Sequence, residues 1–149
     1  MWYEVKQQSD LTYFMDIMYG FHDSCIKEIK YLSGAFVNER LGMYPINDVR
    51  NLRMIIQRQF KDIPMIEMEF SGLNHLYLVP NNEDFTCEIL DATMLMKDDC
   101  IYWCDCGGIS EKEIDDYGGT VVCAAQLRWR VLDQPMGKEE LYILKHETV

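Results

Sequence analysis

Alternation of apolar and polar side chains with a period of two residues is the feature that most constrains how this chain can fold. The stretch at 65–70 alternates cleanly and places three apolar side chains on the inward face of a strand: Ile66, Met68 and Phe70. The carboxylates between them, Glu67 and Glu69, are expected to face solvent. A longer strand is predicted over 120–132, with one face formed by Val121, Cys123, Ala125, Leu127, Trp129 and Val131. Strands with one apolar and one polar face are typical of antiparallel sheets.

Several other segments have the composition of strands and are separated by turn residues. Gly72 is expected to bend the chain before a strand over 75–79, and Lys97-Asp98-Asp99 is expected to join the two strands of a hairpin. The remaining predicted strands are 35–37, 52–57, 88–96, 100–106 and 141–144. Two segments rich in turn-forming residues are predicted to be loops, namely 38–49 and an exposed acidic loop over 107–119.

One amphipathic helix is predicted near the N-terminus, over residues 9–20. Its apolar side chains share one face at helical spacing: Leu11, Phe14, Met15 and Met18. Ser9 or Asp10 is expected to cap the first turn of this helix. Gly20 stands where a helix commonly ends on a left-handed residue.

The segment 24–32 fits both helical and strand spacing. A strand is favoured because Ser33-Gly34 would then turn the chain directly into the strand over 35–37. The missing alternation of strands and helices argues against a doubly wound fold. The sequence therefore predicts a mainly β (α+β) protein, in which 1–149 form a single domain. Its expected architecture is a curled antiparallel sheet or sandwich of about seven or eight strands, with one N-terminal amphipathic helix.

The distribution of apolar residues also bears on location. No run approaches the roughly 18 apolar residues that a membrane-spanning helix requires. The N-terminal sequence M-W-Y-E-V-K-Q-Q lacks the apolar region of a signal peptide. A cytoplasmic protein is therefore expected, with no membrane partner.

Charge is the most informative property for function. The chain has a net charge of −11, and residues 81–120 contain eleven acidic residues against only two lysines. Such a field repels phosphate backbones and attracts a cationic protein or a divalent ion, although solubility alone is also a common reason for acidity. The sequence therefore predicts no nucleic-acid partner. The residues predicted to bind a basic protein partner are Asp98, Asp99, Asp115, Asp116 and Tyr117.

Six cysteines are present, and in a reducing cytosol they are expected to remain free thiols. Strand periodicity places Cys100, Cys104 and Cys106 on one face, with Cys123 on a strand that can pair nearby. Thiolates with a histidine can hold zinc, so a site formed by Cys104, Cys106 and His22 is an alternative prediction. The spacings C-x3-C and C-x-C differ from the usual C-x2-C knuckle, and buried thiols that act as small apolar residues explain them more simply. No cofactor is predicted.

The run His22-Asp23-Ser24-Cys25 contains four residue types that take part in catalysis. Adjacent residues of an extended chain point to opposite faces, however, whereas catalytic groups must meet through space. Asp and Ser also bond the local backbone in turns. The run is therefore interpreted as the junction between the helix and the first long strand, and no catalytic residue is predicted. On the long C-terminal strand, Arg128 and Arg130 are expected to form a polar outer sheet face with Arg53 and Gln57.

The sequence F-H-D-S-C-I-K-E-I-K-Y after a short amphipathic helix, followed by I-E-M-E-F-S-G-L, resembles a family of small bacterial proteins of unknown function with an N-terminal F-H-D-S-type motif. It is also distantly similar to immunity proteins of bacterial toxin systems. The similarity covers the first half of the chain, and W-C-D-C and Y-G-G-T in the second half have no counterpart in the immunity proteins. The resemblance implies a bacterial cytosolic domain and an inhibitor that binds a partner protein.

Three functional hypotheses follow from these observations. The first is a non-enzymatic protein-binding module, of the immunity type, with an acidic binding surface. The alternative is a zinc-binding protein or a metal-dependent enzyme that uses the 100–106 strand. A third is a small-molecule binder with a pocket under the helix, lined by Met15 and Met18, although side chains at this spacing usually belong to a core.

Overall fold

Nine strands and one α-helix form the described part of the chain. The computed structural model describes residues 1–133, 136–139 and 142. The elements in chain order are β1 (Tyr3–Val5), α1 (Gln8–Ile17), β2 (Ser24–Leu32), β3 (Phe36–Val37), β4 (Met43–Tyr44), β5 (Asn51–Arg58), β6 (Met65–Tyr77), β7 (Thr93–Lys97), β8 (Cys100–Cys104) and β9 (Val121–Val131). The mainly β architecture with an N-terminal helix is confirmed.

Seven of the strands form one antiparallel sheet: six lie in the order β2-β5-β6-β9-β8-β7, and the seventh, β1, pairs with β9. β9 pairs with β6 along its length, while its other edge is shared by two shorter strands. β8 pairs with the first half of β9 and β1 with the second half, where Val5 is opposite Leu127. β3 and β4 form a separate two-stranded sheet. The predicted strand over 141–144 lies outside the described residues.

α1 covers one face of the large sheet, and the main core lies between them. The Phe14 ring stacks on Trp129, with centroids 4.4 Å apart, and Phe21 meets Trp103 edge-on. Met18 is completely buried, so it fills the space under the helix. The strands contribute mainly Leu52, Met54, Ile56, Ile66, Met68, Phe70, Val122, Ala124 and Leu127 to this core.

The helix begins slightly earlier than predicted, and its cap differs from the expected one. Its N-cap residue is Gln7, not Ser9 or Asp10. Asp10 lies inside the first turn, where its carboxylate accepts hydrogen bonds from the backbone N–H groups of Lys6 and Gln7 at 2.9 and 3.0 Å. The carboxylate thus bonds N–H groups that precede the helix. Gly20 has φ +63°, inside a short 3-10 turn that follows the helix.

The strand prediction for 24–32 is confirmed, but its expected hairpin with 35–37 is wrong. β2 pairs with β5, whereas Phe36 and Val37 pair with β4, inside the segment predicted as a loop. The reason is a turn built on Asn38, whose side-chain oxygen accepts hydrogen bonds from the N–H groups of Arg40 and Gly42. That local turn folds the chain back on itself before it reaches β5.

The alternate side chains of β9 do not all lie on one face of the sheet, so the prediction of a single apolar face over 120–132 is wrong. Val122 and Ala124 face the helix, as do Leu127 and Trp129, so the alternation changes phase between them. The change lies beside Gly72 of β6, whose φ of +63° is left-handed and whose backbone approaches Ala125 closely. Val121 and Cys123 consequently point to the outer face, the side of the sheet opposite the helix.

The hairpin predicted around Lys97-Asp98-Asp99 is confirmed, with β7 and β8 shorter than expected. Asp98 and Asp99 both have positive φ, which matches the primed two-residue turns that join antiparallel strands. The loop predicted over 107–119 is only partly exposed, because Ile114 is buried in a 3-10 turn. In the described part of the chain, no helix combines the length and the apolar character needed to cross a membrane.

Candidate functional site

A cluster of carboxylates lies around Lys97 at the turn end of the β7–β8 hairpin. The Lys97 ammonium donates to Asp115 Oδ2 at 2.6 Å and to the backbone carbonyl of Glu111 at 3.0 Å. The hydrogen bond to Asp115 is the main cause that raises the pKa of Lys97, and the charges of Asp98 and Glu111 add to it. We call Asp98, Glu111 and Asp115, together with the exposed aspartates next to them in sequence, Asp99 and Asp116, the acidic cluster.

The backbone fixes the two aspartates of the hairpin turn. Asp98 and Asp99 have φ of +51° and +60°, and both side chains are exposed. Aspartate is among the few residues other than glycine that visit this left-handed region routinely. The turn therefore presents two adjacent carboxylates to solvent on a rigid hairpin.

The acidic loop supplies the rest of the cluster. Asp115 accepts the Lys97 hydrogen bond, which lowers the pKa of Asp115, and Tyr102 Oη lies 3.4 Å from its second oxygen. Asp116 is exposed next to it. Tyr117 lies elsewhere, since its hydroxyl donates to Asp105 at 2.6 Å and burial raises its pKa. The structure thus brings Asp98 and Asp115 together at Lys97 and leaves Asp99 and Asp116 exposed beside them in sequence, whereas the Tyr117 hydroxyl is bonded to Asp105.

Apolar contacts hold the loop 105–120 against the outer face of the sheet. Ile114 packs into a buried cluster with Tyr102, Cys104, Val121 and Cys123. At the start of the loop, Thr93 Oγ1 donates to the carbonyl of Cys106 and accepts the N–H of Ile109. Because both sides of the loop are anchored, its backbone is held in place, and the Asp115 carboxylate is fixed in addition by Lys97.

The three residues of the alternative zinc site do not meet. Cys104 is completely buried, its thiol lies 3.4 Å from the carbonyl of Cys106, and burial raises its pKa. Cys106 Sγ is directed to the carbonyl of Gly107. Among the described residues, no three side chains of His, Cys, Asp or Glu are grouped so that they could hold a metal ion.

His22, the third residue of that alternative, takes part in the junction between α1 and β2. Its Nδ1 donates to the carbonyl of Leu90 at 2.6 Å, and Nε2 lies 3.4 Å from Asp23. The Ser24 hydroxyl donates to the carbonyl of Phe21 at 2.5 Å. Asp23 has φ +54°, as suits a turn residue. Each of these contacts connects the helix end to β2 or to the segment around Leu90.

An ion-pair network on the outer face is the feature that the sequence interpretation missed. Glu67 was expected to face solvent, but its side chain is completely buried and lies between two arginines. It accepts a hydrogen bond from Arg53 Nε at 2.5 Å and one from Arg130 Nε at 2.7 Å. The expected outer face with Arg128 and Arg130 is confirmed. The Trp2 ring lies over both guanidinium groups, with its centroid 4.3 Å from Arg128 Cζ and 4.6 Å from Arg130 Cζ.

Burial of this network comes from segments remote in sequence. Leu132 and Met136 pack on the outer face beside Glu67's neighbours on the sheet, Ile55 and Met65. The N–H of Tyr142 donates to Glu28 at 2.9 Å. The register of β6 against β9, which pairs Glu67 with Arg130, is the signal that could have identified the ion pair.

A scan against protein-family models, a search of curated proteins and a search of solved structures found no match to this chain.

Proposed function

We propose that the protein is a non-enzymatic protein-binding module whose acidic surface binds a basic partner protein. The observation that carries the proposal is the exposure of its acidic side chains. Of the eleven acidic residues in 81–120, all but Asp105 are exposed, and among the described residues only Asp115 makes an ion pair, with Lys97. A surface with this excess of unpaired carboxylates attracts a cationic protein and repels phosphate backbones.

The rigidity of the surface supports the same proposal. The backbone of Asp98 and Asp99 is fixed in a primed turn, and the carboxylate of Asp115 is fixed by Lys97. A surface that is ordered before binding loses less conformational entropy when it meets its partner. The resemblance to immunity proteins points in the same direction and suggests a bacterial cytosolic inhibitor of a toxin-like protein.

Affinity capture with charge variants tests the proposal. D98N/D99N/D116N removes three exposed carboxylates and leaves Asp115 bonded to Lys97, and asparagine tolerates the left-handed turn as well as aspartate does. D16N/D62N/D133N is the matched control, because it changes the net charge equally at exposed positions outside 81–120.

The expected result is a basic protein that the wild type and the control capture from a bacterial lysate, and that D98N/D99N/D116N does not capture. The purified partner should then bind the wild type at least about tenfold more tightly than D98N/D99N/D116N, which corresponds to about 1.4 kcal/mol. Equal binding to all three proteins would contradict the proposal.

A further inference from the structure

Residues 33–50, which we call the arm, connect β2 to β5 and expose an unusual number of large apolar side chains. They contain the β3–β4 hairpin, and none of their apolar side chains belongs to the buried clusters of the described residues. Leu41 is 86% exposed and Met43 70%, and Phe36, Val37, Ile46 and Val49 are each about half exposed. A concentration of exposed large apolar side chains in one short segment is typical of interaction sites in soluble proteins.

The arm is held in shape by its own contacts. The rings of Phe36 and Tyr44 stack with centroids 5.0 Å apart, and the Tyr44 hydroxyl donates to Asp48 at 3.2 Å. At the base, the N–H groups of Val49 and Arg50 donate to the carbonyl of Ser33. A two-stranded hairpin is only marginally stable in water by itself, so an apolar partner surface would stabilise it.

The charges of the arm indicate which partner fits. The arm carries two acidic and two basic residues and is neutral, although the whole chain has a net charge of −11. Asp48 is bonded to Tyr44, but Glu39 and Arg40 are adjacent, exposed and without an ion pair among the described residues. The pair Glu39 and Arg40, which we call the tip of the arm, is complementary to itself. A two-fold axis can place the glutamate of each copy against the arginine of the other copy.

We propose that the arm is a homodimerisation surface, in which the apolar side chains of two copies pack together and Glu39 of each copy pairs with Arg40 of the other. A neutral contact lets two strongly acidic chains associate without bringing like charges into the interface. The occupant of the arm is thus a second copy of the chain. This interface is separate from the acidic cluster, so dimerisation and binding of a basic partner can be tested independently.

Mass measurement over a concentration series tests the proposal. The wild type should change from 17.6 kDa to twice that mass as its concentration rises in light scattering or sedimentation equilibrium. L41D/M43D should remain a monomer. F85D/L90D is the matched control, because it makes the same charge change at exposed apolar positions outside the arm, and it should dimerise like the wild type. Circular dichroism verifies that the variants are folded.

Charge exchange at the tip distinguishes a second copy from any other occupant. E39R creates two adjacent arginines and R40E two adjacent glutamates, so each variant alone should dimerise at least about tenfold more weakly. An equimolar mixture of E39R and R40E should recover the wild-type affinity.

If the wild type is still monomeric at about 1 mM, the weak end of measurable affinity, the proposal is overturned. The arm would then bind a different protein. A dimer that L41D/M43D leaves intact would also overturn it. Neither result would affect capture of a basic partner through the acidic cluster, which has its own variants.

Discussion

Removing the buried carboxylate of Glu67 is expected to destabilise the protein by about 3 kcal/mol. The side chain is completely buried between the guanidinium groups of Arg53 and Arg130, so Glu67→Ala leaves two cations facing each other across an empty space. Breaking a buried ion pair by removing one partner costs roughly 3–5 kcal/mol. The lower end applies here because the arginine side chains are 32% and 20% exposed and regain some hydration.

Glu69→Ala is the matched control, because Glu69 lies on the same strand and the same face, two residues further along. It pairs with Arg128, whose side chain is 43% exposed, and the loss of such a pair costs roughly 1 kcal/mol or less. Glu67→Gln provides a second comparison, since it keeps the volume and removes the charge. Urea unfolding with linear extrapolation gives the free energies. For a chain of this size, about 3 kcal/mol corresponds to a melting temperature lower by about 6–12 °C.

The interpretation would be refuted if Glu67→Ala and Glu69→Ala lowered the free energy of unfolding equally. That result would mean that the Glu67 carboxylate is hydrated in solution and that Leu132 and Met136 do not exclude water from it. If Glu67→Ala lowered the free energy of unfolding and Glu67→Gln left it at the wild-type value, packing and not charge would be the main contribution of Glu67.

Two further predictions concern the backbone and the pH dependence of stability. Gly72→Ala should lower the free energy of unfolding in urea by about 1–3 kcal/mol, because φ is +63° and the new Cβ would lie 3.0 Å from that of Ala125. Gly108→Ala, which is also at positive φ but has no atom within 4 Å of the new Cβ, should lower it less. The reverse order would contradict the close approach of Gly72 to Ala125. The pKa of His22 is raised by its hydrogen bond to the Leu90 carbonyl and then by the charge of Asp23. Its stabilising contribution is therefore complete below the unfolded pKa of about 6.5 and is lost as pH rises through the higher folded pKa. His22→Gln should remove this fall in unfolding free energy above about pH 6.5, and unchanged pH profiles would contradict the assignment.

The sheet and the helix were predictable because each follows from a local repeat. The alternation over 65–70 identified β6, and the apolar spacing of Leu11, Phe14 and Met18 identified α1. The aspartates at 98–99 marked the hairpin because few other residues accept positive φ. In each of these cases, the information lies within a few neighbouring residues.

The features that escaped prediction depend on contacts between distant segments. Burial of Glu67 depends on arginines from two other strands and on the packing of Leu132 and Met136 on the same face of the sheet. The change of face in β9 requires Gly72 of the adjacent strand. A pattern read along one strand contains neither contact.

The candidate site was predictable in part. Charge counting selected Asp98, Asp99 and Asp115, and two of these, Asp98 and Asp115, lie at Lys97. It did not identify Glu111 as their neighbour, and it did not predict that Tyr117 bonds to Asp105, because both depend on how the loop 105–120 folds back over the outer face.

The most direct test of the proposed function is the rate of association with the captured basic partner as ionic strength is varied. Steering by the acidic cluster predicts that the association rate constant of the wild type falls as salt is added. At low salt, D98N/D99N/D116N should associate about tenfold more slowly than D16N/D62N/D133N, and the dissociation rate constant should change little. Association rates that are independent of salt, or equal for the two variants, would contradict the proposal that the acidic cluster is the binding surface.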